Sequence, residues 1–165
     1  MLIFAIDPGS TESAYCMLSS DAVPRLFAKA TNEEVIQVLR TYAGNLTAVV
    51  IERVASYGMP VGREVFDTCE WIGRYTQAAS DLRLNVEYVM RQEEKLTICK
   101  SPNANDATIR RALIDRFARH DFTNGKGTKK TPDFFYGFKA DIWSAFAVGI
   151  TFLDRMKYSG SNNRQ

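Results

Sequence analysis

Two short apolar runs, each followed at once by an acidic residue, constrain the fold of this chain more than any other feature. Residues 2–6 (Leu-Ile-Phe-Ala-Ile) precede Asp7, and residues 46–51, which are rich in β-branched side chains, precede Glu52. Continuous apolar runs of this length are typical of strands covered on both faces. The chain is therefore predicted to contain a central sheet with helices on both sides.

The remaining patterns predict three strands, a helix, a strand, a helix, a strand and then helices. The strands are expected at residues 2–6, 13–18, 24–30, 46–51 and 86–89, and the helices from Thr31 or Asn32 to before Gly44 and over residues 64–82, 103–120 and 138–157. This order favours an α/β fold with a five-stranded mixed sheet and helices on both faces. We expect one domain over residues 1–158 and a polar tail over residues 159–165.

The composition limits which side chains could serve in catalysis or metal binding. Cysteines 16, 69 and 99 lack the spacing of a disulfide framework or a zinc site, and His120 is the only histidine of the 165 residues. Acid–base or metal chemistry would therefore depend on carboxylates. The start of the chain lacks the features of a signal peptide, and no apolar stretch is long enough to cross a bilayer, so we expect a cytoplasmic protein without a membrane partner.

Three acidic residues are candidates for one site. If the strands before Asp7 and Glu52 are parallel neighbours, both carboxylates emerge at the same edge of the sheet. Asp141 is expected one turn into the last helix, among apolar residues. Because a buried charge without a partner is costly, bound Mg²⁺ or Mn²⁺ would stabilise such a group, and two ions could hold a phosphodiester for hydrolysis.

Each acid also has an ordinary structural explanation. The Asp-Pro-Gly sequence at Asp7 could be only a turn, and Asp141 could complement a helix dipole. Glu52 could pair with Arg53 or Lys95. The functional interpretation depends on all three acids occurring in one plausible topology.

Three segments resemble the acidic motifs of the RuvC family of Holliday junction resolvases. They are residues 6–11 (Ile-Asp-Pro-Gly-Ser-Thr), 51–53 (Ile-Glu-Arg) and 139–145 (Lys-Ala-Asp-Ile-Trp-Ser-Ala). Together with the Tyr-Gly-Met sequence at residues 57–59 and the basic loop, they look most like the bacteriophage-encoded branch of that family.

The resemblance implies a ribonuclease-H-like fold, a homodimer and two Mg²⁺ or Mn²⁺ ions per subunit. It further implies a crossover junction endodeoxyribonuclease of DNA recombination and repair, with Asp7, Glu52 and Asp141 as catalytic metal ligands. One position departs from the pattern, because Phe138 stands where the family carries a fourth acid or a histidine. Asp133 is a candidate replacement ligand.

Several residues are candidate DNA contacts. Lys126, Lys129 and Lys130 share a glycine-containing loop that could neutralise phosphates or could simply be solvated. The resemblance adds Lys100 and Lys139, and it suggests that Tyr57 stacks at the junction centre, although packing against the long helix is the alternative. Arg110 and Arg111 are expected to be solvent-facing helix charges.

The long helix at residues 64–82 is rich in apolar and aromatic residues, which predicts a two-fold dimer along it, suited to a symmetric four-way DNA junction. Three other functions stay open from the sequence. They are a junction-binding module without catalysis, a single-lobe actin-like nucleotide-binding protein, and a related nuclease acting on flaps, other branched DNA or RNA–DNA hybrids.

Overall fold

The computed structural model describes residues 1–55, 58 and 60–162, without side chains for residues 160–162. The strands are β1 (Leu2–Asp7), β2 (Glu12–Ser19), β3 (Pro24–Thr31), β4 (Ala48–Arg53) and β5 (Asn85–Met90). The helices are α1 (Asn32–Tyr42), a 3₁₀ turn (Ala43–Asn45), α2 (Arg63–Asp81), α3 (Arg91–Cys99), α4 (Asp106–Phe117) and α5 (Ile142–Asn162). Among the described helices, none is both long and apolar enough to cross a membrane.

The five strands form one mixed sheet in the order β3-β2-β1-β4-β5. The pairs β1–β2 and β2–β3 are antiparallel, whereas β1–β4 and β4–β5 are parallel. The five-stranded mixed sheet expected from the sequence is therefore confirmed, including the antiparallel meander of the first three strands.

Alternation along the strands divides the core into two layers. In β1, Ile3 and Ala5 face the layer formed with α3, α4 and α5, whereas Phe4 and Ile6 face α1 and α2. Because successive strand residues point to opposite faces, Asp7 falls on the α5 side of the sheet. The sequence thus sets which face receives the first acid.

Helix α5 lies unusually close to the sheet at Gly149. A Cβ atom there would overlap the side chain of Leu18 and come within 3.2 Å of Ala5 Cβ. The missing side chain therefore lets the helix backbone pack directly against β1 and β2. This contact fixes the helix whose start follows Asp141.

The turn after β1 is held by a buried polar network. Gly9 N–H donates to Ser13 Oγ, Ser13 Oγ donates to Asn32 Oδ1, and Asn32 Nδ2 donates back to the Gly9 carbonyl. The Tyr75 hydroxyl from α2 lies 2.9 Å from both Ser13 Oγ and Asn32 Oδ1. These bonds fix the backbone that follows Asp7.

The structure differs from the sequence prediction in its helices. The segment Arg91–Cys99 is helical, although no helix was expected there, and the helix expected over residues 103–120 is the shorter α4. The last helix begins at Ile142 instead of residue 138 and continues to Asn162, past the expected end at residue 157. Asp141 therefore precedes the helix and does not lie one turn inside it.

Candidate active site

Asp7 and Glu52 lie side by side at the carboxyl ends of neighbouring parallel strands. The register pairs Ile6 with Ile51, which places the two acids opposite each other. Ala48 and Val50 of β4 face the α5 layer, so the alternation directs Glu52 to the same face as Asp7. The parallel-neighbour arrangement expected from the sequence is the one observed.

The two carboxyl groups interact directly. Burial raises the pKa of Asp7, and the charge of Glu52, a hydrogen bond with Glu52 and the charge of Asp141 raise it further. Burial also raises the pKa of Glu52, against the opposing effects of Arg91 and of the hydrogen bond with Asp7. Because the pKa of Asp7 is raised to about 8, the pair carries fewer than two negative charges at neutral pH when no cation is bound.

Asp141 completes this acidic region from the loop before α5. Its carboxylate accepts a hydrogen bond of 2.6 Å from Lys29 Nζ, and both side chains are nearly half exposed. Lys29 lies opposite Ala14, which in turn lies opposite Asp7, so one row across three strands carries the lysine and the first acid. The expected packing of Asp141 among apolar residues is not observed.

Besides Lys29, the sequence analysis missed two site residues on α3, Arg91 and Glu94. The Glu94 side chain is fully buried, with one oxygen 2.6 Å from Arg91 Nη1 and the other without a hydrogen-bond partner. Burial raises the pKa of Glu94, the charge of Glu52 raises it further, and Arg91 opposes both effects. An Arg-x-x-Glu spacing immediately after β5 was the available signal, but it required recognising the helix.

Two basic residues therefore flank the acids. Lys29 pairs with Asp141, and Arg91 lowers the pKa of both Asp7 and Glu52. The alternative pairing of Glu52 with Arg53 or Lys95 does not occur among the described residues. The Arg53 guanidinium instead lies 5.3 Å from the centre of the Tyr88 ring.

The donor chemistry of Asp7 and Glu52 fits a hard divalent cation such as Mg²⁺ or Mn²⁺, which prefers carboxylate oxygens. A cation there would also offset the charges of Glu52 and Asp141 that raise the pKa of Asp7. In the arrangement described for residues 1–55, 58 and 60–162, however, no three His, Cys, Asp or Glu side chains are grouped to hold one ion. Asp141, the candidate third ligand, is bonded to Lys29 Nζ through Oδ2 alone, which leaves Oδ1 for a cation.

Asp133 occupies a different environment. Its carboxylate accepts hydrogen bonds from the backbone N–H groups of Arg119, His120, Asp121 and Phe134. Although burial acts to raise the pKa of Asp133, these bonds hold it below the usual range. The oxygens expected to replace a missing metal ligand are thus engaged by the loop backbone, which assigns Asp133 an organising role.

Phe138 is fully buried and belongs to an aromatic cluster. Its ring lies 4.6 Å from Phe27, 5.1 Å from Phe135 and 5.3 Å from Trp143, measured between ring centroids. The position that the family resemblance associates with a fourth acid therefore serves the core that anchors the start of α5.

The candidate DNA contacts are dispersed. Lys100 caps α3 in a left-handed conformation, with Nζ 2.9 Å from the Thr97 carbonyl. Lys129, Lys130 and Lys139 are exposed, and Lys126 is half-buried. Tyr57 lies outside the described residues, so the structure does not place the expected junction-stacking aromatic.

The loop that carries Lys126, Lys129 and Lys130 is held in place by hydrogen bonds of its own backbone. Asp121 accepts backbone hydrogen bonds from Lys126 and Gly127 as well as from Thr123 and Asn124. A bridge between Gly127 and Pro132 closes the loop. The backbone that carries the three lysines is therefore held in one conformation by hydrogen bonds.

Two solved structures of RuvC are similar to this fold. A Thermus thermophilus RuvC structure matches with a TM-score of 0.71 at 15% identity, covering 96% of this chain and 97% of that chain. The T. thermophilus RuvC in complex with Holliday junction substrate matches with a TM-score of 0.72 at 13% identity, covering 96% of each chain. No protein-family model and no curated protein matches the sequence. At these identities the similarity establishes the architecture: over nearly its whole length, the chain has the ribonuclease-H-like fold of RuvC.

Proposed function

We propose that the protein is a metal-dependent endonuclease that cuts four-way junctions and related branched DNA. The observation that carries this proposal is the position of Asp7 and Glu52 on the same face at the carboxyl ends of neighbouring parallel strands, where the charge of Asp141 also acts on Asp7. A bound cation would offset the repulsion among these acids. The RuvC-like fold supports a nuclease.

In this proposal Asp7, Glu52 and Asp141 hold Mg²⁺ or Mn²⁺, with two ions per subunit expected. A bound ion of this kind attracts a phosphate oxygen and makes a water molecule a better nucleophile at neutral pH. Asp7 lies between the other two acids in the electrostatic network, which supports its role as the central ligand.

The chain's own residues prepare the site in two ways. Arg91 limits the rise in the pKa of Asp7 and Glu52, so it favours the ionised carboxylates that cation binding needs. Lys29 holds Asp141 near the sheet edge through the 2.6 Å ion pair. If this carboxylate turned fully towards a bound cation, the Lys29 ammonium would be available to a substrate phosphate.

The wider DNA surface is proposed from exposed basic residues. Backbone phosphates would be contacted by three lysines of one loop, Lys126, Lys129 and Lys130, and also by Lys100 and Lys139. Tyr57 is retained as a proposed stacking residue on sequence grounds.

A homodimer along α2 is also part of the proposal. The Phe66 side chain on this helix is 60% exposed, and the neighbouring Val61 and Cys69 are exposed too. An exposed aromatic side chain beside other apolar groups favours burial against a second copy. Sedimentation at working concentration tests this, and a monomer would contradict it.

The decisive test is cleavage of a labelled four-way junction in Mg²⁺ or Mn²⁺, compared with a duplex, a flap and an RNA–DNA hybrid. The wild-type protein should nick the junction, EDTA should abolish the reaction, and Asp7→Asn should be inactive while still binding the junction. Cleavage that continues in Asp7→Asn, or a preference for unbranched duplex, would contradict the proposal.

A non-catalytic junction-binding module is the second candidate. It is favoured by the Lys29–Asp141 ion pair, which occupies the third acid, and by the buried Phe138 at the resemblance's fourth position. The same experiment separates the two candidates, because a pure binding module would bind the junction without nicking it in either metal.

A further inference from the structure

A groove lies beside the acids, between α4 and the start of α5. Its volume is about 610 Å³. Among its lining residues are three arginines and two aspartates: Arg91, Arg110, Arg111, Asp106 and Asp141. Asp141 and Arg91 also belong to the acidic region, so the groove opens onto the candidate active site. Its volume is in the range of small-ligand sites, which suits a segment of one strand better than a duplex.

Arg91 stands where the groove meets the acids. Its Nη1 pairs with the fully buried Glu94, and its Nη2 pairs with Asp106. These partners differ in exposure, because the Asp106 side chain is 86% exposed and the Glu94 side chain is fully buried. The guanidinium is therefore anchored from inside the protein, whereas its outer partner is a surface carboxylate that an incoming anion can replace.

The groove wall carries a second arginine on an aromatic ring. The Arg110 guanidinium lies 4.7 Å from the centre of the Trp143 ring. Arg110 is therefore not a simple solvent-facing charge, because it is half-buried and stacked on the buried ring of Trp143. Arg111 differs, because it pairs with Asp115 and donates to the carbonyl of Phe122 at 2.7 Å.

We propose that this groove guides one DNA strand into the active site, and that Arg91 binds the strand's phosphate after releasing Asp106. The inference rests on the nuclease function proposed above and names the path of its substrate. Arginine suits this role because its planar fork can bind a phosphate through two parallel hydrogen bonds, as it binds carboxylates. Arg110 stacked on Trp143 would then face the strand farther along the groove.

The sharpest test removes the competing carboxylate. Asp106→Asn should tighten junction binding by about 3-fold, because the freed Arg91 Nη2 donors gain a phosphate partner. Glu87→Gln is the matched control, since it removes the same charge beside an arginine that is also paired with two carboxylates, Arg155, which does not line the groove. Binding is measured by fluorescence anisotropy in EDTA, where the junction stays intact.

The complementary test removes Arg91 together with its buried partner, so that Glu94 is not left as an unpaired charge. Arg91→Gln/Glu94→Gln should weaken junction binding by about 10-fold, the usual size of a lost charge-assisted contact. Arg155→Gln is the control, because Arg155 is likewise paired with two carboxylates, Glu87 and Glu93. Thermal melting of each variant verifies folding.

The outcomes separate this inference from the proposed function. If wild-type protein cuts junctions but Asp106→Asn and Glu87→Gln bind alike, or the Arg91/Glu94 double variant binds like wild type, the groove assignment is wrong and the nuclease remains. If the wild-type protein neither binds nor cuts junctions, both are overturned. A tighter Asp106→Asn complex with an unchanged Glu87→Gln complex supports the strand path.

Discussion

Asp7 and Asp133 are both aspartates withdrawn from water, yet their surroundings shift their pKa values in opposite directions. Asp7 meets another carboxyl group, Glu52, and its pKa rises. Asp133 meets a ring of backbone N–H donors, and its pKa falls. The surroundings of Asp7 therefore favour its neutral, protonated form, whereas those of Asp133 favour the ionised carboxylate.

This contrast distinguishes the two roles better than residue type does. An acid surrounded by donors already has its partners and organises structure, as Asp133 does for residues 119–121. An acid surrounded by other acids lacks compensation and is suited to bind a cation. Glu94 lies between these cases, with one oxygen bonded to Arg91 and the other unpartnered.

The largest expected effect is on cleavage. Asp7→Asn should lower the rate of junction cleavage at least about 100-fold, the scale seen when a group that stabilises transition-state charge is removed. Single-turnover assays in Mg²⁺ measure this. Asp133→Asn, at equal folded fraction, should keep most of its activity. Equal losses in both variants would erase the functional distinction between the two aspartates.

The next largest effect is on stability, where the substitution of Asp133 is expected to be harmful and that of Asp7 is not. Asp133→Asn should lower the melting temperature by roughly 5 °C or more, because an amide cannot accept four backbone hydrogen bonds as a carboxylate does. Asp7→Asn without metal should melt at the wild-type temperature or above, since it removes repulsion with Glu52. Calorimetry of both variants checks this, and a stable Asp133→Asn protein would refute the organising role.

Asp7 and Asp133 should also differ in how their contributions to stability change with pH. Asp7 has its pKa raised from 3.8 to about 8, so the unfolded chain releases this proton at lower pH than the folded one. Without metal, this group therefore costs stability increasingly as pH rises from about 4 to about 8. Asp7→Asn should remove that decline, so its advantage over wild type should be larger at pH 8 than at pH 5.

The Asp133 contribution has the reverse sign. Because its folded pKa is lowered, its stabilisation is present above the usual carboxyl range and disappears as pH falls through the folded value. The difference between wild type and Asp133→Asn should therefore shrink in strong acid. Melting curves across pH that show the same trend for both variants would contradict the opposite pKa shifts.

The smallest expected effect concerns the loop that Asp133 supports. Changing Lys126, Lys129 and Lys130 to Ala should flatten the slope of log affinity against log salt by up to about 2.7, or 0.9 for each phosphate contact. Anisotropy in EDTA at several salt concentrations measures the slope. The Arg155→Gln protein is a control for lost charge elsewhere, and an unchanged slope in the lysine variant would show that the loop is only solvated.

Much of the architecture could be predicted from local pattern. The apolar runs before Asp7 and Glu52 became β1 and β4, and Thr31 with Glu34 forms the capping box that starts α1. Helix α3 was missed because its nine residues carry a weak apolar stripe and two adjacent glutamates. Its helical state is stabilised by packing on α4 and α5, which a local pattern does not report.

Strand alternation follows from the amino-acid pattern alone, and it places Asp7 and Glu52 on one face once β1 and β4 are neighbours. Which charges meet at that face depends on the folded chain, because Lys29 comes from β3 and Arg91 and Glu94 come from α3. Folding also surrounds Asp133 with backbone donors and so keeps it apart from the acids. The difference arises because strand alternation is a local property, whereas the stability of a buried charge depends on partners from distant parts of the chain.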